Sequence, residues 1–100
     1  MLAAFSITPL GSGESVSAAV AGAVRLVRES GLPNETNAMF TNVEGEWDEV
    51  MGLIKACVAE VAKAAPRVSV VIKLDHRPGA VDALHAKVAA VESHLATDPP

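Results

Sequence analysis

The chain has 100 residues, half of them hydrophobic, with a formal net charge of −4 and one cysteine. That length suits a single domain with a modest core, for which oligomerisation adds stability. Eight scattered basic residues in an acidic chain weigh against a protein that tracks nucleic-acid phosphates and mildly favour a cationic ligand. Cys57 alone excludes an internal disulfide and fits a reducing compartment. No apolar run approaches the roughly 20 residues of a membrane span. Met1 to Ser6 lack the basic start of a signal peptide. The expectation is a cytoplasmic protein with no membrane or nucleic-acid partner.

Leu2 to Leu10 reads as a strand, with Phe5 and Ile7 on one face and Ala4, Ser6 and Thr8 on the other. Pro9 should weaken its pairing. Gly11 to Ser15 reads as a loop, with Ser15 a plausible N-cap. Val16 to Ser30 follows as an amphipathic helix stopped by Gly31 and Pro33. Asn34 to Thr41 and Thr41 to Gly45 read as two short, closely connected antiparallel strands. Asp48 to Ala65 is a second helix, with Trp47, Val50, Met51, Ile54, Cys57, Val58 and Val61 as its apolar stripe and Pro66 ending it. Arg67 to Asp75 is the strongest strand. After a turn at His76 to Gly79, Val81, Leu84, Val88, Val91 and Leu95 mark a third helix with a clean seam. Residues 1–96 are read as one domain and 97–100 as a frayed tail.

The order is β-α-β-β-α-β plus a final helix: an α+β chain with the ferredoxin-like sandwich and sheet order 4-1-3-2. Phe5, Ile7, Val70 and Ile72 would face the helices. Ser6, Thr8, Lys73 and Asp75 would share the open face with Asn42 or Glu44, the choice depending on register. A polar open face is ordinary. Here, though, the groups are chemically mixed, and a carboxylate such as Asp75 or Glu44 can accept from a ring N–H and an exocyclic amine together.

Other motifs carry less. His76, His85 and His94 stand nine apart, which turns His85 and His94 to opposite sides of a helix, so no metal site is expected. Gly11-Ser12-Gly13 lacks the residues of a phosphate loop and reads as a tight turn. Cys57 lies on an apolar stripe and reads as a core thiol. No catalytic triad or dyad can be argued from spacing, and no cofactor is expected.

The chain is organised around Met39-Phe40-Thr41-Asn42-Val43-Glu44-Gly45-Glu46-Trp47. It combines hydroxyl, amide and carboxylate groups with two flat rings, the mixture of a small-molecule pocket. Thr41 to Val50, together with Phe5 to Gly11 and Val71 to Arg77, resembles the small thiamine-binding protein family, and the resemblance runs from Leu2 to Leu95. It implies a ferredoxin-like fold, dimers or tetramers assembled through the sheets, and non-catalytic binding of thiamine or its hydroxymethylpyrimidine part as carrier, buffer or sensor. On that reading Asp75 or Glu44 holds the aminopyrimidine edge; Lys73 joins them only if the strand bends at its end and is otherwise a salt-bridge partner. Ser6, Thr8, Thr41 and Asn42 orient the ring, and Phe40 or Trp47 supplies a stacking wall. The alternatives are a small enzyme acting on a thiamine-related metabolite and a structural oligomerisation module. Before Thr41 the chain leaves the family's pattern, with Asn37-Ala38-Met39-Phe40 in place of His-Pro-Met-Gly.

Overall fold

The structure is a computed structural model that describes residues 1–11 and 17–97. The expected glycine-serine turn and the Ser15 cap lie outside the described residues. The elements are β1 (Leu2–Leu10), α1 (Ser17–Glu29), β2 (Asn34–Thr36), β3 (Thr41–Glu44), α2 (Trp47–Ala62), β4 (Arg67–Asp75) and α3 (Ala83–Thr97). One antiparallel sheet runs β2-β3-β1-β4, the ferredoxin-like order.

Alternation along β1 sets the layers. Ala3 and Phe5 are buried, and their cross-strand partners Val43 and Thr41 on β3 are buried with them. From α1, Ala23 and Val27 close over this face. From α2 come Val50, Ile54, Cys57 and Val61, spaced four, three and four along the helix so that they form one stripe. Glu49 fastens the start of α2, its carboxylate accepting from the Glu46 N–H at 3.0 Å. The Cys57 thiol donates to the Ala23 carbonyl at 3.5 Å and ties α2 to α1. Burial pushes that thiol up to a pKa of about 11.

Several elements differ from the sequence reading. The β1–β4 ladder runs through Pro9, paired with Val68, to Leu10. A proline is tolerated in a ladder where its nitrogen faces away from the paired neighbour. The strand expected to reach Thr41 stops at Thr36, because Asn37 turns the chain. Its side-chain oxygen accepts from the N–H groups of Met39 and Phe40, each at 2.9 Å, and its own N–H donates to the Phe40 carbonyl. The second helix ends at Ala62, and the last turn tightens through Lys63 N–H to Glu60 O and Ala64 N–H to Val61 O.

Trp47 does not join the buried stripe. It is 49% exposed at the first position of α2, with its ring edge-on to His76. Asn42 and Glu44 both lie on the open face, opposite Ala4 and Leu2. They are two residues apart, so one register serves both. The third helix starts at Ala83 and leaves Val81 outside it, and of its expected seam only Leu84 is buried. No helix among the described residues is long and apolar enough to cross a membrane.

Candidate functional site

Strand β3 pairs with β1 only from Leu2 to Phe5, whereas β4 follows β1 to Leu10. Beyond Phe5, β1 therefore has no sheet neighbour on its β3 side among the described residues. Alternate backbone N–H and C=O groups along that edge point towards the missing strand. The Asn37–Phe40 turn and α1 flank this notch and enclose a cleft of about 260 Å3.

Thr36, Asn37 and Thr41 give it polar groups at the hairpin, and Ser6 and Thr8 border it along the free edge of β1, with their side chains alternating to the sheet face away from α1. The hydroxyls of Thr36 and Thr41 stand 3.5 Å apart. The apolar walls are Phe40 and the α1 side chains Val20, Val24 and Val27. None of the described lining residues is charged. Such a surface offers short-range hydrogen bonds and one aromatic face to a neutral ring.

A second cleft, of about 450 Å3, lies on the open face under α3 and contains the two expected carboxylates. Both already have partners within the chain. Glu44 is buried, at 8% exposure, and one oxygen accepts from the Ala83 N–H at 2.9 Å while the other accepts from the Leu84 N–H at 3.1 Å. It thus caps α3 from a distant strand and places a negative charge at the positive end of the helix dipole. Asp75 forms an ion pair with Lys87 of α3. The hydrogen bond from Lys87, then its charge, hold the Asp75 carboxyl below its usual range, with smaller help from Arg77 and Lys73.

Of the residues singled out in the sequence, Ser6, Thr8, Phe40 and Thr41 meet in the smaller cleft. Asp75 and Glu44 meet in the larger. Asn42, Trp47 and Lys73 line neither. Asn37, Thr36 and the α1 wall were missed. An asparagine two residues before an exposed Met39 is a turn signal that could have found the first; the α1 wall has no local signal. Among the described residues no three His, Cys, Asp or Glu side chains gather as a metal site would require.

These features define a class: small ferredoxin-like α+β domains that carry an extra C-terminal helix. Within that class, the chain belongs to the thiamine-binding protein family, whose profile matches residues 3–92. It is 57% identical over 96 residues to the UPF0045 protein Mb1933 of Mycobacterium bovis, covering 95% of this chain and 94% of that one. Among solved structures, protein MJ1052 of Methanocaldococcus jannaschii superposes with a TM-score of 0.81 at 35% identity, covering 91% of this chain and 94% of that one. Protein TM0486 of Thermotoga maritima, named for thiamine biosynthesis or salvage, superposes with a TM-score of 0.78 at 20% identity, over 90% of this chain and 96% of that one. At that identity the likeness concerns the fold alone.

Proposed function

We propose that this chain binds thiamine or its hydroxymethylpyrimidine part without transforming it, as a carrier, buffer or sensor in the cytoplasm. The pyrimidine sits in the cleft between α1 and the Asn37–Phe40 turn. The observation that carries this reading is the grouping of Ser6, Thr8, Thr36 and Thr41 with Phe40 beside an uncovered strand edge, with no charge among the described lining residues. A cleft of about 260 Å3 falls below the usual range for drug-sized ligands, roughly 300–1,000 Å3. It suits one ring and leaves a thiazolium at the mouth. Thr41 and the unpaired backbone edge at Ser6 and Thr8 orient the ring, and Phe40 stacks on it. The family membership supports the choice of ligand, and the open sheet face, with Val71 exposed, supports assembly through the sheets.

A second reading places the ligand in the larger cleft, because Asp75 and Glu44 stand there and a thiazolium is cationic. It requires the ligand to displace Lys87 or the first turn of α3.

Calorimetric titration with thiamine, its pyrimidine alcohol and its thiazole alcohol separates these readings. Heat is expected with the first two. Phe40→Ala is expected to weaken binding by about 0.5–1.5 kcal/mol beyond the area lost, and Asp75→Asn to leave it unchanged. Loss with Asp75→Asn alone would move the site to the larger cleft. Tighter binding by Phe40→Gly would make Phe40 a plug rather than a stacking wall. Absence of heat and of any melting shift with all three compounds would reject the function, and turnover of any of them would make the protein an enzyme.

A further inference from the structure

The larger cleft has a charge arrangement of its own. It lies between the open face of β1 at Leu2, the segment from Arg77 to Val81 and the first turns of α3. The ionisable side chains that line it are Glu44, Asp75, Arg77 and Lys87. All but one are satisfied within the chain. Glu44 accepts from the N–H groups of Ala83 and Leu84, at 2.9 and 3.1 Å. Asp75 and Lys87 hold each other. Arg77 has no ion-pair partner among the described residues. Its charge helps to keep the Asp75 carboxyl below its usual range, but Lys87 occupies that carboxylate.

The backbone fixes where that guanidinium is rooted. Arg77-Pro78-Gly79-Ala80 forms a type II turn. The Ala80 N–H donates to the Arg77 carbonyl at 3.1 Å, proline takes the second position, and Gly79 supplies the positive φ, 79°, that the third requires. Arg77 is the first residue of this turn, just past the end of β4, and stands at the rim of the cleft. The rest of the wall is mostly apolar, from Leu2, Pro78, Val81, Ala86 and Ala90. Val81 is 85% exposed and has most of its surface left to bury. A volume of about 450 Å3 lies within the usual range for small-molecule sites, roughly 300–1,000 Å3.

We propose that this cleft is a second ligand site, separate from the pyrimidine cleft, and that it takes a small monocarboxylate with an apolar body. The carboxylate pairs with Arg77, whose planar guanidinium matches two oxygens at once. The body of the ligand covers Leu2, Val81 and the alanines of α3. Charge sets the class. A cation would have to compete with Lys87 for Asp75, or with the helix N–H groups for Glu44. A neutral molecule would leave Arg77 unpaired. A dianion would bring a second negative charge close to two carboxylates, with no further free cation among the described lining residues to balance it. A single negative charge meets the one guanidinium and leaves the Lys87–Asp75 pair and the Glu44 cap in place. The ligand also adds apolar contact to a helix whose Val88, Val91 and Leu95 stay exposed, so it steadies α3. None of this depends on thiamine.

Amide NMR of the full chain, titrated with hydrocinnamate to ~10 millimolar, a range that reaches weak association, tests the proposal. Shifts are expected from Arg77 to Val81 and from Ala83 to Ala90, and not from Asn37 to Phe40. Hydrocinnamyl alcohol and phenyl phosphate are expected to bind more weakly, and hydrocinnamylamine not at all. Arg77→Gln should weaken the carboxylate by about three- to tenfold, the effect of a bidentate ion pair open to solvent, and leave the alcohol unchanged. Ala86→Leu, which narrows the cleft and keeps every charge, should abolish the shifts. Melting curves check that each variant is folded. Absence of shifts at the highest concentration, equal affinity for acid and alcohol, or unchanged affinity in Arg77→Gln would overturn the proposal. So would tighter binding of the amine, which would mean that Lys87 is displaced, or of the phosphate, which would mean a dianion site. Thiamine titrated alongside keeps the two sites apart: its shifts at Asn37 to Phe40 should persist in Ala86→Leu, and either site can fail without the other.

Discussion

Helices α2 and α3 carry apolar residues at the same spacing: Val50, Ile54, Cys57 and Val61 on one, Leu84, Val88, Val91 and Leu95 on the other. The first set is buried to the last residue, and the second is bare beyond Leu84. Periodicity therefore states that a helix has a face to bury, but not whether the burying surface belongs to the same chain. What distinguishes the two is attachment. An apolar sheet face and α1 hold α2; α3 is held at one end by two carboxylates and one leucine.

That contrast sets the order of expected effects. Ile54→Ala should cost about 2–5 kcal/mol in urea unfolding, the usual result of a cavity in a packed core. A loss well below that would show that α2 is less tightly enclosed than its burial suggests. Glu44→Ala should cost about 1.5–3 kcal/mol, because two helix N–H groups lose a charged acceptor. Hydrogen exchange in that variant should quicken along α3 and leave α2 protected. Equal loosening of both helices would mean that α3 is part of the core unit.

Asp75 makes a smaller contribution, visible in acid. Its folded pKa lies below the ordinary Asp value of 3.8. The stability it adds is therefore fully present above that value and lost as the pH falls through the lower, folded one. Asp75→Asn should remove this part of the acid dependence: the variant should be slightly less stable than the wild type at neutral pH, and the two should converge as the pH falls through the folded Asp75 pKa. A melting curve against pH that is the same in both proteins would show that the Lys87 pair does not hold the helix. The smallest effect is expected of Val91→Ala in dilute solution. As an exposed change it should alter stability by no more than about 0.5 kcal/mol, although Val91 occupies the same place in its stripe as Cys57 does in α2. A loss of core size would mean that the helix is covered even in single chains.

The same distinction decides what could be read in advance. Element order, sheet order and the buried face of β1 were legible, because alternation and helical period are local properties of Phe5, Ile7, Val50 or Ile54. Ser6, Thr8, Phe40 and Thr41 could be named as polar or flat groups near the centre of the fold, but not assembled. Their meeting depends on β3 stopping opposite Phe5 and on Asn37 turning the chain. Asp75 was legible as a carboxylate on the open face, and Glu44 only as an alternative to Asn42, although both lie there. Their partners were not, since they belong to a helix 39 and 12 residues further on, and capping from such a distance leaves no pattern in the sequence. Trp47 read as part of the stripe, yet at the first position of α2 it is half-exposed and its ring stands edge-on to His76 instead.

The pairing of β1 also determines when each part of the molecule can form. The central strand is the first to be synthesised and finds its longest partner in the last strand, with Leu2 opposite Asp75 and Leu10 opposite Arg67. Most of the chain must be closed as a loop before that ladder contributes anything, which makes for high contact order and slow folding. Among the described residues, Ser6 to Leu10 have β4 as their only strand neighbour, so the floor of the small cleft has no sheet to belong to until β4 arrives. A nascent chain released before Asp75 can hold both core helices and the hairpin and still lack the surface on which a ring would rest.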